Sequence, residues 1–464
     1  MRKFDDIKHT VRMLEGFVEI ALMTLIYYYV WKMNYRDLGD NPYYGNGKFM
    51  LMGVYFLLIF VIFGLCDSFK FGHLKLMDVL TSQGIAVFIV NFFTYLQLCL
   101  IINKMITPWP LVVLTLLDFV IAAILVYFYT AAYHKYYVPR DMVLIYGNDN
   151  AVSLKVKMDT RSDKYNITAL ISVEKGLERI KEEIDLHDAV IINDVSAQIR
   201  NDILKYCYER KIRTYLVPKI TDIITRGAEE ITLFDTPLLL VKGKGLTVSQ
   251  RTIKRCMDIL ISLIALVSGS IIMLAVALAI KIEDGGPVFF KQKRVTLDGK
   301  EFYILKFRSM IVDAEKEGQA IPAVGKDPRV TKVGSVIRAT RIDELPQFIN
   351  ILKGEMSIVG PRPERVEHVE KYSKEIPEFV YRNKVKGGLT GYAQIYGKYN
   401  TSAYDKVRLD LMYIENYSLL LDIKLIFLTL QIMLKKESTE GFDMAEKLEE
   451  EKQRILESQN KKES

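Results

Sequence analysis

ILISLIALVSGSIIMLAVALAI, residues 259–280, is the stretch on which the architecture turns. A helix needs ~20 apolar residues to cross a bilayer, so this run is long enough to span. Its flanks argue otherwise. Arg251, Lys254 and Arg255 precede it, and Lys281, Lys291, Lys293 and Arg294 follow it. Basic flanks mark the cytoplasmic side, and here both flanks ask for that side. A re-entrant helix over 256–280, dipping into the bilayer and returning, satisfies both. Such a helix needs a break, and Ser268-Gly269-Ser270 lies near the middle. Glycine weakens a helix there, and serine re-satisfies freed backbone groups. The alternative is a plain fifth span, with everything after residue 281 on the opposite side.

Upstream, four segments have the length and apolarity of spans: Phe17–Trp31, Phe49–Cys66, Val79–Ile102 and Pro108–Tyr133. The first carries Glu15 and Glu19 near its start. The fourth contains Asp118, which reads either as a functional intramembrane acid or as an acid turned into the bundle and hydrogen-bonded there. Arg2, Lys3, Lys8 and Arg12, with Lys70, Lys75, Lys135 and Arg140, place both ends of this four-helix bundle inside. The whole chain of 464 residues is 50% hydrophobic and 26% charged, a mixture of membrane and soluble parts. Its net charge of +7, beside such apolar runs, suits an anionic lipid bilayer and not nucleic acid. The four cysteines and five histidines show neither CxxC nor metal-ligand spacing.

Between the fourth span and residue 248 the pattern turns soluble. DMVLIYG, YNITALIS and DAVIIND read as short buried strands separated by charged helices, and ILKYCYERKIRTYLVP as a helix leading into a strand. That alternation predicts a small Rossmann-like α/β domain. The first strand ends at Gly147-Asn148-Asp149-Asn150, where a dinucleotide site wants GxGxxG, so no ligand is assigned. Scaffolding or oligomerisation, as in a homodimer, is the expected role.

Downstream, VFFKQKRV and EFYILKFRSM flank Asp298-Gly299 and predict a β-hairpin. Alternation puts Lys306 and Arg308 on one face of its second strand, where an anion such as phosphate would relieve their repulsion. A solvated basic edge is the plainer reading. In RIDELPQFIN (341–350), Pro346 is tolerated only in a helix's first turn, so the helix should start near Asp343, with Phe348, Ile349, Ile351 and Leu352 as its buried stripe. Asp343 then falls at the N-cap, where free amides and the macrodipole favour its ionised form. Taken alone, Asp-Glu-Leu-Pro is a capping sequence. In context, Arg338 and Arg341 precede the Asp343–Glu344 pair, and Arg362, fixed between Pro361 and Pro363, follows it. GGLTGYAQIYG (387–397) is a glycine-rich loop whose amides could approach a ligand.

From Arg251 to Glu440 the chain resembles the polyprenyl-phosphate sugar-1-phosphate transferases, the phosphoglycosyl transferases with a re-entrant membrane helix. The resemblance runs through KRCMDILISL, GPVFFKQKRV, FYILKFRSM, RVTKVGSVIRATRIDELPQFINILKGEMSIVGPRPE, GLTGYAQIYG and DLMYIENYSLLLDIKLI. The bundle and α/β domain upstream resemble the family's larger, fused form. This chain has Ser268-Gly269 where members often have Ser-Pro, and Gly387-Gly388 where PGLTG is usual. The resemblance implies that Asp343 attacks the β-phosphorus of a UDP-sugar, releasing UMP, and that polyprenyl (undecaprenyl) phosphate then takes the sugar-1-phosphate. It further implies that Asp343 and Glu344 are catalytic, with Glu344 helping to hold Mg²⁺. Lys306, Arg308, Arg338, Arg341 and Arg362 would contact phosphate, and Gln394 and Asp410 would lie on the sugar-nucleotide side.

The expected fold class is therefore a membrane protein, α plus α/β. Residues 1–135 form the four-helix transmembrane bundle and 136–248 the Rossmann-like domain. Residues 249–440 form a mixed α/β catalytic domain with a re-entrant helix, and 441–464 a charged tail. The expected location is the bacterial inner membrane, multi-pass, with the catalytic domain cytoplasmic. LLLDIKLIFLTLQIML, after Leu419, is a candidate interfacial helix.

Overall fold

The computed structural model describes residues 3–38, 46–147, 150–243, 245–312, 314, 327–397 and 401–433. The charged tail, Asn148 and Asp149 lie outside them. The chain divides into two compact units, Met1–Ile191 with Val195–Tyr215, and Ile192–Asp194 with Leu216–Ser464.

In the first unit, four long helices come first: α1 (Lys3–Asn34), α2 (Gly47–Leu65), α3 (Leu76–Ile102) and α4 (Trp109–Tyr136). Each contains a segment long and apolar enough to cross a membrane. The first is longer than its apolar stretch suggested, because the charged turns before Phe17 stay helical. Apolar side chains such as Phe60, Phe88, Leu116 and Phe128 point outward, while polar groups turn in. Asp118 is fully buried, and the Tyr55 hydroxyl and Asn91 amide converge on its Oδ2 at 3.1 and 3.2 Å. The second of the two readings of Asp118, an inward hydrogen-bonded acid, is the one observed. Gln83 likewise donates to buried Glu19 at 3.1 Å.

The α/β part follows as β1 (Arg140–Tyr146), α5 (Asn150–Asp159), β2 (Tyr165–Ser172), α6 (Leu177–Asp185), β3 (Ala189–Asn193), α7 (Ala197–Glu209) and β4 (Arg213–Leu216). The sheet order is β2-β1-β3-β4, with β1 and β2 parallel. Met142–Ile145 and Ala189–Ile192 are almost wholly buried, as continuous apolar strands covered on both faces must be.

In the second unit, α8 (Ile220–Arg226) leads into a hairpin, β5 (Glu229–Leu233) and β6 (Thr236–Leu240), and then α9 (Val248–Asp284). The hairpin is exposed along its whole length. Helix α9 is the fifth segment apolar enough to span. The break expected at Ser268-Gly269-Ser270 is not formed: the helix continues through it, and Ser268 Oγ, instead of serving a freed backbone group, bonds back to the Ile264 carbonyl at 2.8 Å. Its 37 residues make it ~55 Å long at the usual helical rise, if straight. Yet it is attached to the same unit near its start (Lys254 to Asp422), its middle (Gly269 beside Leu345) and its end (Ile280 against Phe307 and Ile337). The other face is bare: Leu260, Ile264, Val267, Ile271, Leu274 and Leu278 are exposed.

The remainder comprises β7 (Phe289–Val295), β8 (Glu301–Phe307), α10 (Lys332–Ala339), α11 (Gln347–Lys353), β9 (Ser357–Val359), α12 (Val366–Glu375), β10 (Gly388–Thr390), α13 (Tyr392–Tyr396), α14 (Ala403–Glu415) and α15 (Leu419–Met433). Strands β7 and β8 form the expected antiparallel hairpin, turned through positive-φ Asp298 and Gly299. Strand β9 pairs in parallel with β10. A core of Phe302, Ile304, Ile351, Met356, Ile358, Val359, Phe379, Leu411, Tyr413 and Leu425 gathers β8, α11, β9, α14 and α15 around one centre.

Candidate active site

The Asp343–Glu344 pair does not cap an α-helix. After α10, Arg341 adopts a left-handed backbone (φ 57°), and Ile342–Glu344 form a 3-10 turn. Pro346, lacking an N–H, cannot bond back to the Ile342 carbonyl, so α11 begins only at Gln347 with Pro346 at its N-cap. No amide is capped by Asp343. The stripe also differs: Gln347, Asn350 and Ile351 are the buried positions of α11, while Phe348, Ile349 and Leu352 are half-buried. Asn350 explains the shift. Its amide accepts from Leu305 N at 2.9 Å and donates to the Tyr303 carbonyl at 2.8 Å, tying α11 to β8.

That tie brings Lys306 to the pair. Lys306 Nζ donates to Glu344 Oε1 at 2.8 Å, and Arg362 Nη2 donates to the same oxygen at 2.9 Å. Successive residues of a 3-10 turn point ~120° apart, so the two carboxylates diverge. Glu344 is clamped, whereas no side chain among the described residues hydrogen-bonds to Asp343. Their acidities diverge accordingly. Burial opposes ionisation of Glu344, but the Arg362 guanidinium and Lys306 ammonium outweigh it and hold the carboxyl well below the usual range. Burial pushes Asp343 above the ordinary aspartate range, against the pull of Lys306 and, more weakly, of Arg341 and Arg338. The expected stabilisation of ionised Asp343 by a helix cap is thus corrected: its charge rests on nearby cations alone.

Of the other residues singled out, Arg338 is half-buried and Arg341 exposed, both within electrostatic range of Asp343. Arg308 is on the same strand face as Lys306 but does not share its anion. Its Nη2 pairs with Asp284 at the end of α9, while Nε and Nη1 are buried without a partner among the described residues. Asp410 is buried and held by Arg382 through Nε (3.0 Å) and Nη2 (2.7 Å), and Arg382 Nη2 also donates to the Arg362 carbonyl at 3.1 Å. Asp410 therefore braces the cationic wall from behind instead of facing an open site. Gln394 donates to the Leu389 carbonyl at 3.0 Å, within its own loop.

Sequence reasoning missed Arg382, Glu364 and Asp284. Arg382 Nη1 and Lys406 Nζ approach Glu364 at 3.7 and 3.6 Å. Burial opposes ionisation of Glu364, and Arg382 and Lys406 overcome it. Nothing in YRNKVKGG marks Arg382 as buried; only the fold does. The glycine-rich loop has a different task from the one expected. A Cβ at Gly388 or Gly391 would overlap the Gly360 backbone, and one at Gly387 would lie 2.6 Å from Pro363 Cγ. These glycines let β10 interlock with the Gly360–Glu364 segment and so fix Arg362.

Among the described residues no group of three or more His, Cys, Asp or Glu side chains is gathered to cage a metal. The donor set nonetheless fits Mg²⁺, which is characteristically held by one or two carboxylates plus substrate phosphates and water. Both cations reach Oε1 of Glu344, which leaves Oε2 as a donor. A carboxylate pair walled by Lys306, Arg362, Arg338 and Arg341 is suited to receiving a phosphate-bearing ligand.

Comparisons with known proteins cover the region that holds this site. The family described as bacterial sugar transferase matches residues 249–436. The UDP-N-acetylgalactosamine-undecaprenyl-phosphate N-acetylgalactosaminephosphotransferase of Aeromonas hydrophila is 40% identical over 55% of this chain and 62% of its own length. The UDP-glucose:undecaprenyl-phosphate glucose-1-phosphate transferase of Escherichia coli (strain K12) is 45% identical over 44% and 43%. The exopolysaccharide production protein ExoY of Sinorhizobium fredii is 39% identical over 38% of this chain and 83% of itself. The chain belongs to the bacterial sugar transferase family, and the site described here lies within the matched region. The chain spans roughly half the length of the larger curated relatives it matches, 62% and 43% in these two cases.

Proposed function

We propose that the chain transfers a sugar-1-phosphate from a UDP-sugar to polyprenyl (undecaprenyl) phosphate, giving polyprenyl-diphosphate-sugar and UMP through a covalent aspartyl intermediate. The observation that carries this reading is the asymmetry of the pair: Glu344 is clamped between two cations while Asp343 is left without a hydrogen-bond partner among the described residues. An Oδ of Asp343 attacks the β-phosphorus, and the bond to the bridging oxygen breaks, that oxygen leaving with the electron pair as UMP. A phosphate oxygen of the polyprenyl acceptor then attacks the same phosphorus and returns the Asp343 carboxylate. Arg362 and Lys306 orient Glu344 and counter the charge that builds on the phosphoryl oxygens. Mg²⁺, held by Glu344, would neutralise phosphate charge when bound.

The same reading makes the chain a multi-pass protein of the bacterial inner membrane, with α1–α4 as a four-helix bundle, a Rossmann-like domain and a cytoplasmic catalytic domain. It includes a homodimer as the assembly. For α9, attachment to one unit at start, middle and end, with a bare apolar face opposite, supports keeping both its ends on one side of the membrane over crossing, although the helix has no break at Ser268-Gly269-Ser270. The reaction would be the first membrane step of exopolysaccharide, capsule or O-antigen synthesis; one relative's name, exopolysaccharide production protein, supports the first of these. The test is a panel of radiolabelled UDP-sugars incubated with the full chain in lipid nanodiscs and undecaprenyl phosphate. UMP with lipid-diphosphate-sugar is expected. UDP as the nucleotide product, or no turnover with any sugar, would refute the proposal.

A further inference from the structure

Three residues in the first turns of α9 make buried polar contacts that the reaction itself does not use. Arg255 donates to the carbonyls of Ile351 and Leu352, at 2.5 and 2.6 Å, and so holds the C-terminus of α11. Lys254 Nζ pairs with Asp422 at 2.6 Å; Asp422 accepts from the Tyr413 hydroxyl at 2.8 Å, and that hydroxyl lies 3.3 Å from the Val359 carbonyl. Asp258 Oδ1 accepts from Ser357 Oγ and from Ile358 N, both at 3.0 Å. Lys254, Asp258, Ser357 and Asp422 are each no more than 5% exposed.

These contacts converge on the two arms that frame the catalytic pair. Helix α11 starts at Gln347, three residues beyond Glu344, and β9 runs directly into Gly360-Pro361-Arg362. The path from Ile358 to Arg362 is stiff. Ser357 N donates to the Gly387 carbonyl (2.9 Å), Gly360 N to the Thr390 carbonyl (2.8 Å), and Gly388 N to the Pro361 carbonyl (2.8 Å). A displacement of β9 is therefore passed on to Arg362, and from its guanidinium to Glu344.

We propose that Asp258 is a positioning residue for the sugar-phosphate transfer. By fixing β9 to the apolar helix, it sets where Arg362 meets Glu344, so that the seating of α9 governs the geometry of the site. The role rests on the function proposed above. A misplacement of ~1 Å by a remote change can cost ~10²-fold in rate, which is the scale expected here.

The test uses the full chain in nanodiscs with Asp258→Ala, Asp258→Asn and Ser357→Ala. Asp258→Ala should lower kcat for UMP release ~10- to 100-fold, on the same scale, with KM for UDP-sugar changed less than ~3-fold. Asp258→Asn keeps the acceptor oxygen and should stay within ~3-fold of wild type, since both hydrogen bonds survive in neutral form. Combined with Arg362→Lys, the Ala variant should lose less than the product of the two single losses, because both act through one contact. A second readout needs no turnover: amide exchange over 341–346 should accelerate in Asp258→Ala and remain as wild type in Asp258→Asn. Should the Ala variant not fold, the Ser357→Ala and Arg362→Lys cycle decides, with less-than-multiplicative losses expected. Wild-type kcat in Asp258→Ala, fully multiplicative losses, or unchanged exchange at 341–346 would each overturn the proposal. Absence of UMP release from wild type would refute the proposed function instead, leaving the exchange result to judge the positioning role.

Discussion

Replacing Glu344 by Gln isolates the charge at the centre of the site while keeping its shape. The carboxylate receives Lys306 at 2.8 Å and Arg362 at 2.9 Å on one oxygen, with side-chain exposures of 13% for Glu344, 19% for Lys306 and 36% for Arg362. Hydrogen bonds to charged groups contribute roughly 1.5–3 kcal/mol each, and a neutral acceptor keeps about half of that. The Lys306 contact should thus lose about 1 kcal/mol, and the more solvated Arg362 contact about half as much. Leaving the Lys306 ammonium buried without its carboxylate adds a further fraction of the several kcal/mol seen for fully buried pairs. The sum is about 2 kcal/mol, or ~30-fold in the local unfolding equilibrium. Pulse proteolysis in urea, scored on the second unit, should show a midpoint lowered by about 1 M for a slope of ~2 kcal/mol/M. The pH dependence has a definite sign. The folded-state pKa of Glu344 is depressed, so its contribution is present above the unfolded pKa of ~4.3 and is lost as pH falls through the lower folded value. Equal midpoints at pH 7, or a difference undiminished at pH 3, would refute the clamp.

Other outcomes follow from the same geometry. Asp343→Asn should abolish lipid-diphosphate-sugar formation yet leave the urea midpoint equal or higher at pH 7, since burial makes its ionised form costly; retained turnover would remove Asp343 as nucleophile. For wild type, kcat/KM should fall on acidification through an apparent pKa above the ordinary aspartate value of ~3.9, because the active form is deprotonated and burial raises its pKa. Gly391→Ala places a Cβ against the Gly360 backbone, and should cost ~1–3 kcal/mol of stability together with activity, read as a lowered midpoint and reduced UMP release. A cysteine introduced at Asp298 should be protected from impermeant thiol reagents in intact cells; labelling there would mean that α9 crosses the bilayer.

Much of this was legible without coordinates, because the relevant physics is local. Long apolar runs, strand alternation, the Asp298-Gly299 turn and the clustering of Arg338, Arg341, Asp343 and Glu344 are all properties of neighbouring residues. Sequence also located the pair, since carboxylates and cations so close along the chain are close in space. What it could not supply was the difference between the two acids. Sequence assigned Asp343 to a helix cap, whereas Pro346 and the left-handed Arg341 place the pair on a 3-10 turn. The acidities then depend on Lys306, brought from 38 residues away by the hairpin and Asn350. Likewise Arg382, and the contacts of Asp258 to a strand 100 residues on, exist only after packing. Charge at a buried site depends on distance and desolvation, which only tertiary structure decides.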